Sequence, residues 1–157
     1  DSYPVVIASS ILSGGRSSRI YRSLVCDKRV ALEAEASGNF TEQPNLFFAT
    51  IFLNQGASMD SAENALNAEL ARLMTEPVSD KVLEKAKNKM RAEYAFARQA
   101  VQDRAQALGH AAVIHRDTAA VNKEYDLFMN VTKEDIMRVA KTYFRPGNRT
   151  VLTVRPK

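Results

Sequence analysis

One apolar stripe limits what this chain can fold into. Leu83, Ala86, Met90, Tyr94, Ala97, Val101, Ala105 and Leu108 follow one another at intervals of three and four, the spacing that lines side chains along one helix face. This predicts a single helix of about seven turns, running to Gly109 with one buried stripe. Its start is marked by Ser79 as N-cap, with Val78 and Leu83 placed as a hydrophobic staple.

A helix with one dry face needs a layer to cover it, and two upstream stretches carry strand patterns. "VALEAEAS", from Val30, alternates Val30, Leu32, Ala34 and Ala36 with Ala31, Glu33 and Glu35. That is a strand with one wet face, and Gly38 and Asn39 read as its turn. "NLFFATIFLN", residues 45–54, is apolar on both alternating sets and reads as a central strand covered on both faces. After the break "RPGN", residues 149–154, "RTVLTV", read as a final strand.

Helices fill the rest. The first covers residues 2–12, with Asp1 as N-cap and Pro4 in its first turn, where the missing N–H costs little. Gly14 and Gly15 stop it. A second begins at Ser17 or Ser18 and turns Ile20, Leu24 and Val25 inward. Another runs over residues 59–74 on Ala62, Leu66, Leu70 and Leu73 and ends before Pro77. A further one spans residues 118–128. The last is capped by Thr132, with Asp135 completing a capping box, Val131 and Ile136 as the staple, and Ile136, Val139, Ala140 and Tyr143 as its inner face. The fold class expected is α+β, a mostly antiparallel sheet with helices packed on one face, as one domain over residues 1–157.

Composition narrows the functions. The chain is 45 % apolar and 25 % charged, the makeup of a packed globular protein. Its net charge of +4 comes from 22 basic and 18 acidic residues interleaved along the chain, which argues against nucleic acid as a partner. The densest basic stretch, residues 81–91, also contains Glu84 and reads as a solvated helix face. No apolar run reaches the roughly 18 residues of a membrane span. Cys26 is the only cysteine, so no internal disulfide forms, and it reads as a buried structural thiol. The chain opens at Asp1, directly before an apolar helix and without an initiating Met. It is expected to be a piece of a longer polypeptide, with its compartment open between bacterial periplasm and cytoplasm.

The chemistry-bearing residues are sparse. "LSGGRSSRIY", residues 12–21, has the composition of a phosphate loop, but it links two helices and lacks the Gly-Lys-Ser/Thr ending of a Walker motif. It reads as a tight corner first and a ligand contact second. His110 and His115 are five apart, which does not put two imidazoles on one α-helical face as the four-residue spacing of a zinc motif does. Serines 9, 10, 13, 17 and 18 lack the frame of a nucleophile elbow. Glu33 and Glu35 share a strand face and read as solvated, while Tyr94 and Phe96 read as core. The residues alone reveal no catalytic group and no metal site.

The order "A-x-x-I-L-S-G-G-R-S-S-R-I-Y-R-S-L-V", then a strand, then "PVSDKVLEKAKNKMRAEYAFA", then "VTKEDIMRVAKTYFRPGNRTVLTVRP" resembles the C-terminal half of the insulinase-like zinc metallopeptidases, the M16 family of pitrilysin and mitochondrial-processing-peptidase type. The resemblance covers nearly the whole chain and implies a LuxS/MPP-like metallohydrolase fold. It implies two homologous halves closing around an unfolded peptide, with zinc held in the other half by an inverted His-x-x-Glu-His motif that this chain lacks. The partners implied are that zinc-bearing half, in the same chain or another subunit, and a peptide substrate. Upstream strands of this half are expected to precede Asp1. The family's second half also lends an Arg and, seven residues on, a Tyr to substrate, and these positions fall at Val25 and Leu32. Neither can donate a hydrogen bond to a peptide carbonyl or an oxyanion. Either Arg16, Arg19, Tyr21 and Arg29, the nearby candidates, bind substrate in their place, or the protein binds peptides without that assistance.

Three functions remain: the non-catalytic, peptide-binding half-domain of such a peptidase, a structural relative without proteolysis like the core subunits of respiratory complexes, or an unrelated α+β binding module. An upstream zinc motif separates the first two, and an enclosed ligand pocket in place of an open sheet face would favour the third.

Overall fold

A computed structural model describes residues 1–39 and 46–155. The elements in chain order are α1 (Ser2–Ser13), α2 (Arg19–Tyr21, continued by a π-helical turn over Arg22–Asp27), β1 (Ala31–Asn39), β2 (Leu46–Leu53), α3 (Met59–Thr75), α4 (Asp80–Phe96), α5 (Val101–His110, continued by a π-helical turn over Ala111–His115), α6 (Ala120–Met129) and α7 (Lys133–Tyr143). A single 3-10 turn, Pro146–Asn148, follows. The fold is α+β: helices cover one face of an antiparallel β1–β2 pair.

The core lies between the helices and the inner face of that pair. α1 contributes Ile7, Ala8, Ile11 and Leu12, all nearly or wholly buried, the i, i+4 and i, i+1 spacing of a wide apolar stripe. Ile20 and Leu24 from α2 and its extension, Leu70 and Leu73 from α3, and Ile136, Val139 and Ala140 from α7 close around it. Phe47 on the inner face of β2 meets Phe144 with ring centroids 4.5 Å apart. Burying side chains of this size stabilises by about 1.5–3 kcal/mol each.

Local capping agrees with the sequence in two places. Ser79 Oγ accepts the Val82 N–H at 3.4 Å, and Val78 and Leu83 are both buried. Thr132 Oγ1 accepts the Asp135 N–H at 3.1 Å while Asp135 accepts the Thr132 N–H at 3.0 Å, a complete capping box. Asp1 holds the N-cap position of α1 but makes no side-chain cap. Its carboxylate instead meets Arg138 at 2.8 Å and accepts the Tyr143 hydroxyl at 2.7 Å, which draws Tyr143 to the rim, 40 % exposed, instead of the inner face.

The corner between α1 and α2 requires glycine. Gly14 N–H bonds the Ser10 carbonyl at 2.7 Å, and a Cβ there would run into that same carbonyl oxygen. Gly15 sits at φ +127°, a backbone region that L side chains rarely adopt.

Several expectations are corrected. The seven-turn helix is broken: α4 ends at Phe96 and α5 starts at Val101. The apolar stripe is buried only at Leu83 and Ala86, half-buried at Met90 and Tyr94, and exposed beyond them, with Val101 at 74 %. Among the described residues none covers α5 on that side, so periodicity alone did not bury it. Phe96 is exposed as well. Gly38 and Asn39 are not a turn; they pair with Phe47 and Leu46, and residues 40–45, which join the strands, lie outside the described residues. β2 is covered on one face only, because Leu46, Phe48 and Phe52 stay exposed. Cys26 is exposed, since the π-helical turn commits Leu24 to the core and leaves Cys26 outside. Residues 149–155 form no strand among the described residues, and Leu152 and Val154 are more than four-fifths exposed. No described strand pairs with them.

Candidate functional site

The outer face of the β1–β2 pair is open. Along β2 the inner residues Phe47, Ile51 and Leu53 pack on the core, while Leu46, Phe48, Thr50 and Phe52 face outward. Along β1, Ala34 and Ala36 are buried and Glu33, Glu35 and Ser37 are exposed. Cross-strand partners are Glu33 with Phe52, Glu35 with Thr50 and Ser37 with Phe48.

A β-bulge sets this arrangement. Ala31 pairs with Leu53 and Glu33 with Phe52, so β1 advances two residues while β2 advances one. The extra residue is Leu32, which is 68 % exposed. The period-two reading put Leu32 on the core face with Ala34; the bulge reverses it and buries Ala31 instead. Asn54 fixes the entry to β1. Its N–H bonds the Val30 carbonyl at 3.0 Å and its Nδ2 donates to the Arg29 carbonyl at 2.6 Å, holding Arg29 at φ +52°.

The four proposed substrate contacts do not converge. Arg16 Nε donates to the Tyr21 hydroxyl at 3.4 Å, so this pair sits together at the glycine corner. Arg19 turns inward: it is half-buried, and desolvation first, then the nearby Arg72 guanidinium, push its pKa down. Arg72 spans Glu69 at 3.4 Å and Glu76 at 3.3 Å beside it. Ser18 Oγ and one Arg19 guanidinium nitrogen are enclosed without a hydrogen-bond partner, at a cost of about 1–3 kcal/mol each. Lys85 donates to Ser17 Oγ and ties the corner to α4. Arg29 lies apart, exposed at the entry to β1. Val25 packs partly against the core, while Leu32 stands on the open face.

A second concavity escaped sequence reasoning. A cavity of about 550 Å³ opens between α4, α5 and α6, lined among others by Tyr94, Arg98, His110, His115, Tyr125 and Phe128. The Arg98 guanidinium stacks 3.2 Å from the Tyr94 ring centre, and both side chains donate to the Val121 carbonyl, at 2.9 and 3.0 Å. His110 and His115 come together after all, with ring centroids 6.2 Å apart. The π-helical turn over Ala111–His115 explains it, because its wider coil brings residues five apart onto one side. Among the described residues, no group of three or more His, Cys, Asp or Glu side chains could hold a metal ion. The only sequence signal for this cavity was the histidine pair, and α-helical geometry argued against it.

Residues 1–90 match the family model described as the peptidase M16 inactive domain. The chain superposes on a protease from Helicobacter pylori with TM-score 0.82 and 21 % identity, over 92 % of this chain and 35 % of that one. It also superposes on the inactive peptidase domain of a protein from Bordetella parapertussis named as a zinc protease, with TM-score 0.81 and 25 % identity, over 94 % of this chain and 80 % of that one. A third match, to a protein of Bordetella pertussis also named as a zinc protease, has TM-score 0.79 and 24 % identity, over 94 % and 81 % of the two chains. The chain thus spans about a third of the Helicobacter pylori protease. No curated protein sequence matches it significantly.

Proposed function

The chain belongs to the peptidase M16 inactive-domain family, and from that premise we propose that it is the non-catalytic half-domain of an insulinase-like zinc peptidase, binding extended peptide and closing the proteolytic chamber. Residues 1–157 form the later part of that C-terminal half. One observation carries the reading. Among the described residues, helices cover only the inner face of β1 and β2, and the outer face exposes Leu32, Leu46, Phe48 and Phe52 beside strand edges that no other described strand pairs with. An extended polypeptide has there both apolar surface to cover and backbone groups to pair with.

Zinc and the chemistry of hydrolysis belong to a homologous half, in the same polypeptide or a partner subunit. The match to the family model described as the peptidase M16 inactive domain supports this division. Arg16 and Tyr21, already in contact, and Arg29 at the entry to β1 are the side chains free to reach a substrate; Arg19 braces the corner from within.

The test is fluorescence anisotropy of a labelled unstructured peptide titrated with the chain, with added zinc and with a chelator, followed by mass spectrometry of the peptide. Saturable binding without cleavage in either condition is the expected result. No binding, or cleavage that the chelator abolishes, would overturn the reading.

A further inference from the structure

The open sheet face combines two chemistries in adjacent columns. On β1, Glu33 and Glu35 are exposed and form no ion pair among the described residues. On β2, Phe48 and Phe52 are 50 % and 57 % exposed, Leu46 is 59 % exposed, and the bulged Leu32 adds a further apolar side chain at one end. Glu33 stands directly opposite Phe52, and Glu35 stands opposite Thr50, between the two phenylalanines. Cross-strand side chains lie about 5 Å apart, so one bound side chain can touch a carboxylate and a ring together.

Charge decides what fits. Neither strand contains a Lys or Arg, although the chain as a whole carries +4. The basic excess is therefore located elsewhere, and this face presents carboxylates beside aromatic rings. An acidic segment would meet like charge, while a purely apolar one would cover the rings and leave both carboxylates desolvated without partners, which is costly. A segment carrying basic and large apolar side chains satisfies both columns. A guanidinium can bond a carboxylate and stack on the adjacent ring at once.

We infer that the outer face of β1 and β2 selects extended polypeptide segments that combine Arg or Lys with large apolar residues, through Glu33 and Glu35 beside Phe48 and Phe52. The inference rests on the peptide-binding reading above and adds a substrate class to it.

The experiment uses three unstructured peptides of equal length and equal Leu and Phe content, whose remaining positions are Arg, Gln or Glu. Affinities are measured for the chain, for Glu33→Gln/Glu35→Gln and for Phe48→Ser/Phe52→Ser, with circular dichroism confirming that each variant is folded. The Arg peptide is expected to bind tightest, by about fivefold over the Gln peptide, with the Glu peptide weakest. The glutamine double variant should abolish this ranking, as should high salt. The serine double variant should weaken all three peptides alike. If the three bind equally, or if the ranking survives in the glutamine variant, the selectivity is overturned while peptide binding stands. If none binds, the peptide-binding reading fails and the selectivity with it.

Discussion

Glu33 stands opposite Phe52, although Ala31, two residues earlier, stands opposite Leu53. This slip puts Leu32 and Ala34 on opposite faces, and it is testable by stability. Leu32→Ser should change unfolding free energy by less than about 0.5 kcal/mol, because its side chain is exposed. Ala34→Glu should cost several times more, since a carboxylate would be driven into a buried position only 3 % exposed. Urea melts of the two variants decide it, and equal losses would contradict the bulge.

The two ends of the glycine range should respond with opposite sign. Gly14→Ala forces a Cβ onto the Ser10 carbonyl, and Gly15→Ala places alanine at φ +127°; each should destabilise by about 1–3 kcal/mol. Gly109 lies inside α5 with nothing near its missing Cβ. Gly109→Ala should therefore stabilise by about 0.4–1 kcal/mol. Thermal melts of the three variants provide the comparison.

The capping box of α7 predicts an acid dependence. The Thr132 backbone N–H, then its hydroxyl, hold the Asp135 carboxyl below its usual value. A carboxyl depressed in the folded state adds stability that is fully present above its unfolded pKa, near 3.8, and is lost as pH falls through the lower folded value. Asp135→Asn should flatten that loss in acid denaturation curves, and Thr132→Ala should cost about 1 kcal/mol at neutral pH.

Cys26 should react in the native protein. Its exposure predicts that a thiol reagent titrates one group per chain at the same extent with and without denaturant. A native count near zero would put the thiol back in the core.

What was legible in the sequence was local. Ser79, Thr132 and Asp135 act within one turn, so their spacing alone specifies their bonds. Ile20, Leu24, Leu70 and Leu73 were legible because each faces the core from a helix with neighbours on that side. The break between α4 and α5 was not, because residues 97–100 contain neither Gly nor Pro and the three-four spacing runs straight through them. The bulge at Leu32 depends on how β2 pairs with Ala31 and Glu33 on either side of it, and that information is not in β1. The meeting of His110 and His115 depends on a π-helical turn that α-helical spacing cannot anticipate. Of the candidate contacts, the adjacency of Arg16 and Tyr21 follows from the glycine corner, while Arg19 lies inward near Arg72, Glu69 and Glu76, residues far from it in sequence.

The extended stretch after α7 has a further consequence. Val151, Leu152 and Val154 form a β-prone apolar run with exposed side chains, the type of segment that stacks on copies of itself. Arg149 and Arg155 bracket it, and Arg149 is also moored to Glu63 at 3.3 Å and to Asn67 on α3. Two molecules aligning these runs in register would bring guanidinium against guanidinium at both ends. The arginines thus act as gatekeepers against self-assembly, and added salt, by screening them, is the condition under which the protein would begin to aggregate.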